Sequence, residues 1–176
     1  IALLIFVTPL FKTIKELKLY LEKNKSRSVL FYGPPGSGKS QTIDKIATDL
    51  NLSCIRFDTS ETDSIKMSIQ LSKMLNPNLI ILEDLDHVYD LDFLLHFLEE
   101  FRRKPGTIIL ASANVITELG DALQRPERFD QLVELKRLDE SIIKQIINDE
   151  EIFELTKNWP IAYIKELMLR VDVFGK

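Results

Sequence analysis

The sequence predicts a three-layer α/β/α fold, in which helices cover both faces of a parallel sheet. Short apolar strand patterns alternate with helical patterns along most of the chain, and a glycine-rich loop joins the first strand to the next helix. From residue 139 onward only helical patterns appear. We therefore predict a core over residues 28–138, preceded by a segment over 1–27 and followed by a small, incomplete helical subdomain over 139–176.

The segment before the core begins with an apolar run and continues with a helical pattern. Residues 1–7 are too few to span a bilayer, and we expect a packed segment such as a buried strand; the alternative is the end of a longer signal or anchor segment. Thr8 and Pro9 have the pattern of an N-cap followed by proline, so the predicted helix begins there and runs to about Lys23. Because the chain starts at Ile1 rather than Met, we expect it to be part of a longer protein.

Strand and helix patterns then alternate through the core. The predicted strands cover residues 28–32, 53–58, 79–82, 107–111 and 131–135. Apolar residues at helical spacing predict helices around 43–50, 67–75 and 91–98, with a further short helix near 121–123. Asn51 is predicted to end the first of these helices. The third strand is apolar throughout, which is typical of a strand that is buried on both faces of a sheet.

The loop between the first strand and its helix carries the strongest functional signal. Its residues fit G-x-x-x-x-G-K-[ST], and glycines there allow backbone N–H groups to face an anion. Lys39 can reach the β- and γ-phosphates of a nucleotide, and the Ser40 hydroxyl can bind Mg²⁺. The alternative, an ordinary Gly/Pro-rich turn, would match all four fixed positions in about one such chain in a hundred or fewer. The predicted phosphate-binding residues are Gly33, Pro34, Pro35, Gly36, Ser37, Gly38, Lys39 and Ser40.

Two acids, Glu83 and Asp84, follow the third strand. Ligands of parallel sheets bind outside the carboxyl ends of the strands, so we expect these acids to lie beside the glycine-rich loop. One carboxylate is needed in the Mg²⁺ shell, and another is needed to orient or deprotonate an attacking water. The alternative is a pair of acids that only solvate a loop. His87 is predicted to be a solvated or capping histidine rather than a metal ligand, because no partner His or Cys lies at ligand spacing, and His96, within a leucine-rich helix, is predicted to be structural.

Charge and cysteine content restrict the classes of function and the compartment. A formal charge of −4 and a pI of about 5.3 do not favour a protein whose main task is to bind the nucleic-acid backbone. The single Cys54 cannot form an internal disulfide and is expected to be a small buried thiol. A single cysteine fits an intracellular, reducing compartment, and we favour the cytoplasm.

In their order, these motifs resemble those of the AAA family of P-loop ATPases, within the wider AAA+ class, over roughly residues 10–138. The loop and the acidic strand end are similar to the family's Walker A and Walker B motifs, and 111–114 resembles a third conserved strand end. Residues 121–130 are similar to the pattern D-x-A-L-x-R-P-G-R-F-D, with Glu127 in place of the glycine and one spacer residue fewer.

The resemblance implies ATP and Mg²⁺ as cofactors and assigns roles to residues outside the loop. Ser40 and Glu83 would hold the metal, and Asn114 would sense the γ-phosphate and position the attacking water. Arg125 and Arg128 would be arginine fingers that act on the site of a neighbouring subunit. The alternative for both arginines is a surface position, paired with Glu127 or Asp130.

Two departures from the family pattern affect these roles. The family usually has Asp-Glu at the acidic strand end, whereas this chain has Glu83-Asp84, so Asp84 would be the catalytic base. The reversed order resembles a subgroup of mitochondrial respiratory-chain assembly chaperones. In addition, the loop over 59–64 lacks the aromatic residue with which substrate-threading members hold a polypeptide.

The function implied by the resemblance is Mg²⁺-dependent ATP hydrolysis by a ring, expected to be a hexamer of identical or related subunits, that remodels a protein or a larger assembly. One alternative is a nucleotide-gated assembly module with little hydrolysis. Another is a DNA-acting protein such as a helicase loader, which would need a basic surface stripe that the sequence does not indicate.

Overall fold

A computed structural model of the chain contains one sheet of parallel strands. It describes residues 2–58, 62–88, 91–119, 128–136, 143–144, 147 and 149–175. Within these residues the strands lie in the order β2-β3-β4-β1-β5, and every neighbouring pair is parallel. The fold class predicted from the sequence is therefore confirmed. The strands are β1 (Arg27–Tyr32), β2 (Cys54–Asp58), β3 (Leu79–Glu83), β4 (Ile108–Ala113) and β5 (Gln131–Glu134).

Helices precede the sheet, connect its strands and follow it. In the described residues they are α1 (Ala2–Glu22), α2 (Lys39–Leu50), α3 (Thr62–Leu75), α4 (Leu91–Arg102), α5 (Glu150–Thr156) and α6 (Ile161–Phe174). Short 3₁₀ turns cover Leu85–His87 and Ile116–Leu119. The short helix predicted near 121–123 lies outside the described residues.

Each face of the sheet is covered by its own apolar cluster. On one face, Ile80 packs in a cluster with Phe97 of α4, and on the other Ile81 packs in a cluster with Ile43 and Ile46 of α2. Successive side chains of a strand point to opposite faces, so an apolar strand such as β3 can support both clusters. A separate cluster in the helical tail contains Ile143, Ile147, Phe153 and Ile164.

Two expectations about the chain before β3 were wrong. α1 begins at Ala2 rather than at Thr8, so residues 2–7 are helical and do not form a strand. Alanine and leucine are strong helix formers, and here they extend the helix through the Thr8-Pro9 cap signal, although an internal proline removes one backbone hydrogen bond. Cys54 is exposed rather than buried, because it opens β2, the first strand in the spatial order of the sheet. In the part of the chain that the structure describes, no helix combines the length and apolarity needed to cross a membrane.

Candidate functional site

Three loops that leave neighbouring strands enclose a cleft of about 380 Å³. β4 lies between β1 and β3, so the residue that follows β4, Asn114, stands between the loop after β1 and Asp84 after β3. β4 continues to Ala113, two residues beyond its predicted end at 111, which brings Asn114 directly to the edge of the sheet. The cleft is lined by Pro35, Gly36, Gly38, Lys39, Ser40, Gln41, Asp84 and Asn114.

Glycines of the loop have backbone conformations that residues with a side chain rarely adopt. Gly33 has φ 149°, and a Cβ atom there would lie 2.1 Å from the carbonyl oxygen of Leu135. Gly38 precedes α2 with φ 91° and carries no side chain that could cap the first turn of the helix. The N–H groups of that turn therefore remain available to a bound anion, which the positive end of the helix also favours.

Lys39 is buried beneath this loop, with 7% of its surface exposed. Its Nζ donates to the carbonyl oxygens of Gly33 at 2.7 Å and Pro34 at 3.2 Å, and to Oδ1 of Asn114 at 2.9 Å. Burial lowers the pKa of Lys39, while the carboxylates of Asp84 and Asp86 act in the opposite direction. A buried ammonium group gains most from a nearby anion, so the position suits contact with phosphate.

The two acids after β3 have different surroundings. Asp84 lines the cleft, has φ 52°, and donates its N–H to Oγ of Ser112 at 3.1 Å. Glu83 is the last residue of β3, and its Oε2 accepts from Nη1 of Arg56 at 2.9 Å. The two carboxyl groups therefore have different surroundings because Asp84 lies beyond the end of β3, where its left-handed backbone interrupts the alternation of strand residues. The roles predicted for them, Asp84 as base and Glu83 as metal ligand, remain predictions.

The oxygen donors at the cleft suit a hard divalent cation. Ser40 and Asp84 line the cleft and offer a hydroxyl and a carboxylate, whereas Glu83 directly precedes Asp84 in the chain but is not among the lining residues. Among the described residues, no group of three or more His, Cys, Asp or Glu side chains could hold a metal ion by itself. Mg²⁺ is usually bound by one or two protein groups together with the phosphates of a nucleotide, so the residues present fit that use.

Asp86 has a part in the site that the sequence did not reveal. Its carboxylate accepts from the N–H of Asn114, at 2.9 Å to Oδ1 and 2.6 Å to Oδ2, and from the N–H of Val115 at 3.4 Å. These bonds fix the backbone of Asn114 at the end of β4. The only signal in the sequence is a further acid two residues after Asp84, which by itself also fits a solvated loop.

The helical tail contacts the loop directly. A Cβ atom on Gly36 would lie 2.6 Å from Cβ of Pro160, which precedes α6. Further along α6, Nζ of Lys165 donates to Oε1 of Gln41 at 3.2 Å. The beginning of α6 therefore lies beside the cleft, although the two segments are more than a hundred residues apart in sequence.

One of the two predicted arginine fingers is described. Arg128 forms an ion pair with Glu99 of α4, and its carbonyl oxygen accepts from Oγ of Ser28 at 3.3 Å. Asp130, the partner suggested by the surface alternative, accepts from Arg102 at 2.8 Å and from the N–H of Ser28 at 2.7 Å. Arg125 lies outside the described residues.

Comparison with known proteins agrees with this geometry. The model of the ATPase family associated with various cellular activities (AAA) matches residues 29–137, more than half of the chain. The ATP-dependent zinc metalloprotease FtsH 2 of Thermoanaerobacter sp. is 28% identical over 131 residues, which cover 62% of this chain and 26% of that protein. The proteasome-activating nucleotidase of Methanocaldococcus jannaschii is 26% identical over an alignment 179 residues long, which covers 80% of this chain and 42% of that protein. The chain thus spans less than half the length of either relative.

Proposed function

Because the chain belongs to the AAA family of ATPases, we propose that its cleft binds ATP together with Mg²⁺ and hydrolyses it to ADP and phosphate. The observation that carries the proposal is the convergence of Lys39, Asp84 and Asn114 on one cleft from the ends of three neighbouring strands. These three residues are far apart in sequence, and each has a chemical character that phosphoryl transfer requires.

Binding is the task of the loop over residues 33–40. Its backbone N–H groups and the start of α2 would hold the phosphates, and the Lys39 ammonium would neutralise their charge. Ser40 and Glu83 would hold Mg²⁺, which supplies positive charge at the phosphate oxygens when it is bound. The buried position of Lys39 supports this role, because its charge is less screened by water than that of an exposed lysine.

Hydrolysis needs a base for the attacking water and a group that positions it. We assign Asp84 as the base, since its carboxylate lines the cleft and the bond from its N–H to Ser112 fixes its backbone. Asn114 would position the water and contact the γ-phosphate, with its backbone held by Asp86. The Glu83-Asp84 order, which resembles that of the respiratory-chain assembly chaperones, is the reason for assigning the shorter side chain as base.

The proposed ring depends on Arg125 and Arg128, which would reach the nucleotide of a neighbouring subunit. A guanidinium beside the γ-phosphate offsets the charge that develops there during transfer. Arg128 is paired with Glu99 in the isolated chain, and Glu99 is 44% exposed. Arg128 itself is 20% exposed, so the proposal requires it to leave this ion pair when it contacts the phosphate of a neighbouring subunit. We propose a hexamer of identical or related subunits.

A protein or a protein assembly is the substrate class that we propose. The two relatives are described as a proteasome-activating nucleotidase and as an ATP-dependent protease, and both names concern work on proteins. Because residues 59–64 include no aromatic side chain, that loop would not hold an extended polypeptide through an aromatic contact. A single free cysteine suits a reducing compartment, and we extend the proposal to the cytoplasm.

An Asp84→Asn variant tests the proposal of hydrolysis. It should bind ATP with an affinity near that of the wild type but turn it over roughly a hundredfold more slowly, because an amide cannot accept the proton of the attacking water. Asp172→Asn, the same change on α6, is the matched control and should leave turnover unchanged. If the wild type bound ATP and turned it over no faster than Asp84→Asn, the chain would be a nucleotide-gated binding module instead.

An Arg128→Ala variant tests the action between subunits. It should bind ATP normally and lose most of its turnover, and wild-type turnover should rise with protein concentration as subunits associate. Adding Asp84→Asn subunits, which are themselves slow, to Arg128→Ala subunits should restore part of the rate, because the former supply the arginine. An equal loss of turnover in dilute, unassociated subunits would contradict a role across the interface.

A further inference from the structure

We propose that Arg56 sets how tightly the candidate site binds Mg²⁺, through its ion pair with Glu83. This inference rests on the proposed function, because it concerns the metal of that same site. Neither the loop pattern nor the acidic strand end of the sequence indicates a part for Arg56.

Arg56 joins three elements that meet at one end of the sheet. Its Nη1 lies 2.9 Å from Oε2 of Glu83 on β3, and its Nη2 pairs with Oδ1 of Asp44 on α2. In the parallel register Asp58 stands opposite Glu83, so Arg56, two residues before Asp58, lies diagonally across from Glu83 on the same face of the sheet. The contact between Arg56 and Glu83 therefore follows from the register of two adjacent strands.

The ion network adjoins the residues proposed to hold the metal. Glu83 is itself one of them, and Asp44 lies one turn after the other, Ser40, on the same helix. Glu83 is 23% exposed and Arg56 is 41% exposed, so the pair is neither fully screened nor fully desolvated. The charge of the guanidinium therefore acts on a cation held by Glu83, with partial screening by water.

The three formal charges, two negative and one positive, determine the direction of the effect. Arg56 reduces the negative potential of Glu83 and so weakens the attraction of that carboxylate for Mg²⁺. Asp44 offsets part of the guanidinium charge and so has the opposite influence. Removal of Arg56 should tighten Mg²⁺ binding, and removal of the Asp44 charge should weaken it.

This pair of opposite effects separates metal tuning from a purely structural role. If Arg56 only tethered β2 to β3 and α2, then Arg56→Gln and Asp44→Asn would both break the tether and would both shift metal binding in the same direction. The electrostatic role predicts opposite shifts from two substitutions that disrupt the same ion pair.

The experiment is a Mg²⁺ titration of the binding of a fluorescent ATP analogue to the whole chain, without any measurement of turnover. For Arg56→Gln the Mg²⁺ concentration at half-maximal binding should fall about three- to tenfold, and for Asp44→Asn it should rise by a similar factor. Both shifts should shrink as the ionic strength increases, because the groups are partly exposed. Shifts in the same direction, or neither above about twofold, would overturn the proposal.

Matched controls come from the same helix. Lys45 and Asp49 form an ion pair at 2.9 Å on α2, so Lys45→Gln and Asp49→Asn repeat the two charge changes away from Glu83 and should shift the Mg²⁺ midpoint much less. Arg56→Lys retains the positive charge and should stay near the wild type, which guards against a folding defect in Arg56→Gln.

A wild-type chain that binds no ATP analogue at any Mg²⁺ concentration would overturn the proposed function as well, whereas normal Mg²⁺-dependent binding with unshifted variants would overturn only this inference.

Discussion

Two lysines near opposite ends of the strands share their local chemistry and differ in their surroundings. Lys39 follows the carboxyl end of β1, and Lys104 precedes the amino end of β4. The Nζ atoms of both donate to backbone carbonyl oxygens, that of Lys39 to Gly33 at 2.7 Å and that of Lys104 to Pro77 at 2.6 Å. Burial lowers the pKa of both side chains.

The difference lies in what else converges on each amine. Lys39 also donates to Asn114, and the charges of Asp84 and Asp86 act on it at a cleft. Lys104 lies among connecting loops, where Oγ of Ser26 donates to its carbonyl oxygen. A pKa lowered by burial therefore does not distinguish the two lysines. What distinguishes Lys39 is the convergence of polar groups outside the carboxyl ends of the strands, which is where ligands of parallel sheets bind.

The largest expected effect that tests this comparison is on nucleotide binding. Lys39→Met should weaken the binding of an ATP analogue roughly a hundredfold, because the loss of charge-assisted bonds to phosphate is worth several kcal/mol. Lys104→Met makes the same chemical change near the other end of the strands and should leave the affinity unchanged. Equal losses in both variants, measured by fluorescence titration, would mean that the two lysines are not functionally distinct.

A smaller effect concerns the pH dependence of stability at Lys104. Because burial lowers its pKa in the folded chain, the unfolded chain binds this proton more tightly. Charged Lys104 therefore costs stability at neutral pH, and the cost disappears as the pH rises from the lowered value to the ordinary value near 10.5. The free energy of unfolding of the wild type should rise relative to that of Lys104→Met over this window.

Urea unfolding of the two proteins at neutral pH and near pH 9.5 measures this difference. The expected change is small, because Lys104 is only partly buried. A difference in unfolding free energy that stayed constant with pH, or that moved in the other direction, would contradict the effect of burial on Lys104. It would also remove the chemical likeness on which the comparison with Lys39 rests.

Most of the fold could be predicted because its signals are local. Each predicted strand has a counterpart in the structure whose ends differ by two residues or fewer, and Asn51 ends α2 with φ 48°, as an αL cap. The start of α1 was wrong because two local signals competed, a cap at Thr8 and strong helix formers before it. The prediction that Cys54 is buried was wrong, because a strand pattern does not show where the strand lies in the sheet.

Some residues of the candidate site could also be predicted from local signals, and others could not. The loop residues, Asp84 and Asn114 could be chosen from the sequence, because each directly follows a strand pattern and the ends of parallel strands meet. Arg56 and Asp86 were not found as parts of the site, since their contacts join elements 27 and 28 residues apart in the chain.

The sequence by itself determined the alternation of strands and helices, the phosphate-loop pattern and the polar residues that follow the third and fourth strands, because these depend on backbone preference and hydrophobic spacing over a few residues. Only the tertiary structure decided that β4 separates β1 from β3, that Glu83 faces Arg56 while Asp84 faces the cleft, and that α6 lies against the loop at Gly36. Those arrangements depend on strand order, on register and on which apolar face each helix covers, and these are properties of the packed chain as a whole.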